Sequence, residues 1–177
     1  GRLDLIALGT VEPRKNLLAA ADIVAALRTR HGWDARLNIV GRPGWGGEVD
    51  RLKDRPGVVL HGYREPDEVR ALLAAAHLFL STSHDEGLGL PLLEAQYAGL
   101  QVVAPDKPVF REVLDASGAF VDTTDAAAAA ERIDRLVMRP DGFLAAAAAA
   151  MGNVDRWNTA ARGDREALID RLRPWAD

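Results

Sequence analysis

The stretch Ser81-Thr-Ser-His-Asp-Glu-Gly-Leu-Gly-Leu-Pro-Leu-Leu-Glu94 decides how this chain is read. It follows an apolar, strand-like run, His77 to Leu80, and leads into a short helical pattern that closes at Gly99. Pro91 suits the first helical position, where its missing N–H is not needed and its φ is already helical. The glycines permit positive φ and a close approach of backbone to a ligand. A helix start carries free N–H groups and partial positive charge, which favours a phosphate. Glu86 and Glu94 bracket that seat. A carboxylate repels phosphate, so the two acids fit better as acceptors of hydroxyl hydrogen bonds, such as those of a sugar and a ribose.

Outward from this stretch, short apolar runs alternate with helical patterns. Runs at Leu3–Leu8, Ala35–Val40, Val58–His61, His77–Leu80, Gln101–Ala104 and Ala119–Val121 read as six strands. Helices are expected over about 15–31, 48–53, 67–76 and 109–114. Strands alternating with helices predict an α/β fold: a Rossmann-like parallel six-stranded sheet with helices on both faces. The loops after residues 8, 40, 61 and 80 all leave the carboxyl ends of strands, where such sheets bind ligands. Beyond Asp122, alanine-rich helices are expected over 125–138 and 141–151. A closing helix is expected over 154–172, with Pro174 and Trp175 at the end. Alanine is the best helix former, so these runs read as thin packing helices.

Composition narrows the classes. The 177 residues, 48% hydrophobic and 27% charged, suit one soluble globular domain. A net charge of −4 argues against a nucleic-acid footprint, which needs a basic face. There is no cysteine, hence no disulfide frame and no thiolate chemistry. No apolar run approaches a membrane span of about 18 residues. No Asp-x-Asp pair or His/Glu cluster has metal-ligand spacing, and no G-x-S-x-G nucleophile motif occurs.

Four loops carry candidate chemistry. In Gly9-Thr-Val-Glu-Pro-Arg-Lys-Asn16, Arg14 and Lys15 put fixed positive charge at a strand-to-helix turn, as a diphosphate requires. Gly41-Arg-Pro-Gly-Trp-Gly-Gly47 is glycine-rich but is neither a dinucleotide fingerprint nor a P-loop. Its Trp45 reads as local packing more than as a base-stacking group. His61-Gly-Tyr-Arg-Glu-Pro-Asp67 is the third, and the stretch around Glu86 the fourth. His61 and His84 read as core or supporting residues rather than as acid/base catalysts.

Glu86-Gly-Leu-Gly-Leu-Pro-Leu-Leu-Glu94 resembles the E-x7-E signature of retaining glycosyltransferases of the GT-B architecture (glycosyl transferases group 1, family 4). The resemblance runs from about Leu5 to Leu172. It takes in the Gly9–Asn16 diphosphate loop, the loop after the Ile-Val-Gly strand, and Asp155-Arg-Trp-Asn-Thr-Ala-Ala161, which is similar to the opening of the family's terminal helix. It implies that residues 1–177 form the nucleotide-sugar-binding, C-terminal half of a two-domain enzyme, partnered by an N-terminal acceptor-binding domain. By that resemblance Glu86 contacts the transferred sugar and Glu94 the ribose. Arg14 and Lys15 hold the diphosphate and help it depart. Gly9, Gly41, Gly89 and Leu90 line the donor, and Gly62 and Tyr63 read the base through main-chain groups. Trp157 is expected at a domain interface.

The donor implied is GDP-mannose, with a UDP-sugar as the alternative, for hexosyl transfer in polysaccharide or glycoconjugate assembly. No metal or other cofactor is implied. The location implied is cytoplasmic, with contact to a membrane only through the other half, and the 177 residues alone are expected to transfer no sugar. The sequence departs from the pattern at Thr10, Asn16, Leu88 and Gln96-Tyr97. A non-catalytic nucleotide-binding or scaffold module of the same fold is the rival reading. A signalling receiver is a weaker one, since its early strand ends need acids where this chain has Gly9 and Gly41.

Overall fold

A computed structural model describes residues 1–173; Pro174 and Trp175 lie outside the described residues. Six strands form one sheet: β1 (Arg2–Leu8), β2 (Asp34–Val40), β3 (Val58–Gly62), β4 (Leu78–Leu80), β5 (Gln101–Pro105) and β6 (Gly118–Val121). All pairings are parallel, in the order β3-β2-β1-β4-β5-β6. The chain therefore winds outward from β1 to β3, returns to β4 beside β1, and winds out the other way. The crevice between the carboxyl ends of β1 and β4 is the switch point where such sheets bind ligands.

Side-chain alternation distributes the core over two faces. Leu3, Leu5 and Ala7 of β1, with Leu78 and Leu80 of β4, join a buried cluster with α1 (Leu17–His31), α2 (Glu48–Leu52) and α6 (Ala126–Val137). Ile6 and Phe79, pointing the other way, pack with α3 (Pro66–Ala75), α4 (Leu90–Tyr97) and α5 (Pro108–Leu114). β4 and β5, covered on both faces, are apolar almost throughout, while β1 and β2 carry Asp4, Arg36 and Asn38 among their apolar residues.

Two readings need correction. At the start of α4 the cap is Gly89 and Leu90 is the first residue, so Pro91 stands second rather than first; a proline is equally free of a bonding duty there. The helices expected over 141–151 and 154–172 are one continuous helix, α7 (Gly142–Leu172). Gly152 and Asn153 stand at the join, and Asn153 is buried and spends its amide on other parts of the fold. Its Nδ2 donates to Gln96 Oε1 (2.5 Å) and to the Val113 carbonyl (2.9 Å). Trp157 is half-buried against this chain's own second cluster, with Nε1 donating to Val113 O at 2.9 Å. From residue 158 to 173 every position of α7 and its cap is exposed.

Candidate donor site

The loops after β1 and β2 meet backbone to backbone. Gly9 N–H donates to Val40 O (2.9 Å) and Gly41 N–H to Gly62 O (2.9 Å), so the ends of β1, β2 and β3 are tied in one line. A Cβ on Gly41 would lie 1.9 Å from the Gly9 carbonyl oxygen, which excludes any side chain there. A Cβ on Gly9, at φ +132°, would press on the Lys15 side chain at 2.9 Å. The glycine therefore leaves the corridor in which Lys15 runs.

Pro13–Lys15 form a single 3-10 turn, and α1 begins only at Leu17. Between them Asn16 takes the left-handed conformation, φ 50°, which asparagine tolerates far better than most residues other than glycine. The family resemblance expected a glycine after the lysine, and the backbone explains why either residue serves. Thr82 Oγ1 lies 2.8 Å from the Asn16 carbonyl and 3.1 Å from that of Lys15, which clamps the turn to the end of β4.

That turn delivers Lys15 to Glu86. Lys15 Nζ donates to Glu86 Oε1 at 2.6 Å, and both side chains are about 10% exposed. Ser83 Oγ donates to the same oxygen at 2.7 Å. Arg14 reaches Glu86 Oε2 only at 3.5 Å; it also donates to the Asp85 carbonyl (2.9 Å) and pairs with Glu12 (2.9 Å). Burial pushes the Glu86 carboxyl up, but the Lys15 and Ser83 hydrogen bonds, with the charges of Lys15 and Arg14, outweigh it and hold the group below the usual glutamate value. The result is a fixed carboxylate whose Oε1 takes two short hydrogen bonds, while Oε2 receives only the long Arg14 contact and keeps capacity to accept another. The space enclosed among Lys15, Ser83, Glu86 and Pro91 is only about 10 Å³, room for about one water at most.

Glu94 lies elsewhere. It is exposed, one turn into α4, and lines a groove of about 680 Å³ between α3 and α4 together with Tyr63, Arg64, Leu73 and Tyr97. The Tyr63 ring is half exposed and carries the Arg42 guanidinium 4.5 Å from its centroid. Of the two glycines in the central stretch, only Gly89 takes a positive φ, 62°. It brings the start of α4, with the backbone of Gly89 and Leu90, to the same rim. All of the residues expected at the donor site thus stand at the carboxyl edge. Gly9, Arg14, Lys15 and Glu86 are drawn into one cluster, while Tyr63 and Glu94 share the groove beside it.

Other candidates resolve as follows. His61 Nε2 and Asn38 Oδ1 are 2.9 Å apart; burial, with the nearby Arg64, lowers the histidine's pKa. The backbone of His84 receives Lys107 Nζ (2.6 Å) and donates to Arg14 O (2.8 Å). Trp45 is 67% exposed on its loop. Sequence reasoning missed that Glu86 and Lys15 pair across 71 positions, that Ser83 serves Glu86, and that Arg42 stacks on Tyr63. A pairing so distant leaves no trace in a single sequence. Ser83, three residues before Glu86 in the same loop, is the one that spacing could have found. Among the described residues no group of three or more His, Asp or Glu is placed to hold a metal ion, and no helix is long and apolar enough to cross a membrane.

The sequence profile of the glycosyl transferases group 1 matches residues 2–139. The chain belongs to that family. A serotype-specific mannosyltransferase of Escherichia coli, WbdA, is 36% identical over 116 residues, 61% of this chain and 14% of the relative. A GDP-mannose:cellobiosyl-diphosphopolyprenol alpha-mannosyltransferase of Xanthomonas oryzae is 32% identical over 95 residues, 52% of this chain and 25% of the relative. The chain thus matches no more than about a quarter of the length of these two curated relatives. Among solved structures, WaaG, a glycosyltransferase involved in lipopolysaccharide biosynthesis, superposes with a TM-score of 0.70 at 23% identity, over 87% of this chain and 43% of its own. The fold is that of the GT-B glycosyltransferases.

Proposed function

We propose that this chain is the donor-binding domain of a retaining glycosyltransferase that uses a nucleoside diphosphate sugar, GDP-mannose above all, in polysaccharide or glycoconjugate assembly. The observation that carries the reading is the Lys15–Glu86 pair at the β1/β4 switch point, 2.6 Å long and set beside the start of α4. Lys15 has three N–H donors and spends one on Glu86. The remaining donors, the Arg14 guanidinium and the amides of Gly89 and Leu90 surround a place for the diphosphate. There they stabilise the charge that develops as it leaves. The open Oε2 of Glu86 accepts a hydroxyl of the transferred sugar. Glu94, free in the adjoining groove, accepts the ribose hydroxyls, and the main chain of Gly62 and Tyr63 meets the base.

Mannose as the sugar is supported by the named activities of the relatives, and GDP by the loop Glu12-Pro-Arg-Lys-Asn16 and by the Xanthomonas relative's name. Acceptor groups belong to an N-terminal domain in this reading, so the 177 residues alone carry out no transfer. Calorimetric titration of the intact protein with GDP, UDP, ADP and GDP-mannose tests the proposal. GDP and GDP-mannose bind, and the others bind at least about tenfold more weakly. Each charge-assisted contact contributes roughly 1.5–3 kcal/mol, so Lys15→Ala lowers affinity by about tenfold to a hundredfold. Absence of binding by every nucleotide overturns the reading in favour of a scaffold module; tighter binding of UDP replaces the donor.

A further inference from the structure

At the opposite edge of the sheet, α6 and α7 enclose a cavity of about 320 Å³. Gln101 and Gly118, the first residues of β5 and β6, lie at its floor. Small side chains hold it open: Ala146 and Ala149 of α7 face it where larger residues would close the gap between the helices. Its volume is at the lower end of the range of small-molecule sites.

The polar groups on this cavity do not match one another. Arg132 of α6 and Arg139, two residues beyond the end of that helix, both line it, and neither has a carboxylate partner among the described residues. Arg135 between them, which does not line it, is paired with Glu131. Gln101 uses its Nε2 on the Ser117 carbonyl (2.9 Å) and the Val102 carbonyl (3.3 Å), which leaves Oε1 as an acceptor. Asp141 precedes α7 without a side-chain bond to the helix, so its carboxylate is also available. The half-exposed ring of Phe143 forms part of the wall.

Two fixed cations against one carboxylate leave the cavity net positive, with two acceptors set apart from the cations. A neutral polyol leaves the guanidinium groups unmatched, and a bare anion leaves the acceptors unmatched. We propose that this cavity binds a small phosphorylated polyol. Arg132 and Arg139 hold the phosphate, for which the guanidinium fork is suited, and Gln101 and Asp141 accept hydroxyl hydrogen bonds. The site is independent of the donor reading and shares no residue with it.

The test titrates the intact protein with glucose 6-phosphate, glucose and inorganic phosphate, with glycine-selective amide labelling to locate the response. Glucose 6-phosphate binds saturably and moves the signals of Gly118 and Gly142, while those of Gly9 and Gly41 stay in place. Arg132→Ala and Arg139→Ala, both at exposed positions, each weaken binding by about tenfold, and Ala149→Phe, which fills the space, removes it. GDP binding is unchanged in all three variants. The proposal is overturned by absence of saturable binding, by equal binding of inorganic phosphate, by an unchanged affinity in Arg132→Ala and Arg139→Ala, or by shifts at Gly9 and Gly41, which would assign the ligand to the donor rim.

Discussion

Glu86 and Glu94 begin and end the same nine residues, yet the protein treats them in opposite ways. Glu86 is buried to about nine-tenths, receives Lys15 and Ser83 on one oxygen, and is held ionised. Glu94 is exposed, has no side-chain partner among the described residues, and looks into a groove. The difference teaches how a loop and a helix divide a task. The loop after β4 cannot fix a carboxylate by itself, so it borrows a cation from the loop after β1. The helix fixes its residue through its own backbone, and Glu94 needs no further support. A carboxylate tied into the protein contributes to stability; one left free contributes only when something binds.

Three substitutions break or sharpen this contrast. Lys15→Ala has the largest effect, because it strands the Glu86 charge in a nearly closed place; breaking such a pair costs about 3–5 kcal/mol. Urea unfolding measures it, and adding Glu86→Gln to Lys15→Ala recovers much of the loss while nucleotide binding stays weak. If the double variant is no more stable than Lys15→Ala, the stranded charge is not the cause.

Glu86→Gln alone comes next, at about 1.5–3 kcal/mol for the charge-assisted bonds removed, and its effect depends on pH. The folded pKa of Glu86 lies below its unfolded value, so its stabilisation is complete above the ordinary glutamate pKa of about 4.3 and is lost as pH falls through the folded value. The gap in urea midpoint between the parent protein and Glu86→Gln is therefore constant near neutrality and shrinks below about pH 4. A gap that widens on acidification would mean that folding raises the Glu86 pKa instead of lowering it. Glu94→Ala is the smallest in stability, within about 0.5 kcal/mol as for an ordinary surface change, while it lowers nucleotide affinity about tenfold. A stability loss comparable to that of Glu86→Gln would erase the distinction between the two acids.

Much of the sheet was legible because each strand contains a short, mostly apolar run bounded by glycine or polar residues, and both faces of a parallel sheet are covered. The rim residues were legible because glycines stand beside Arg14, Lys15 and Glu86 in loops that leave the ends of strands. What escaped detection depended on distance along the chain. The Lys15–Glu86 and Arg42–Tyr63 contacts join loops that only the strand order brings together. The unbroken α7 was misread because Gly152 and Asn153 are poor helix formers locally. Tertiary hydrogen bonds from Asn153 to Gln96 and Val113 offset that weakness. Gln96 itself, noted only as a departure from the family pattern, is fully buried and donates to Ser117 Oγ at 2.6 Å.

That continuity has a mechanical side. A helix of 31 residues extends roughly 46 Å at 1.5 Å per residue, and here only its first half is embedded. The embedded half grips α4 through Asn153 and Gln96, two residues past Glu94. The outer half, residues 158–173, is exposed along its described length. A load on that half is carried through the Asn153–Gln96 contact to the helix that bears both Leu90 and Glu94.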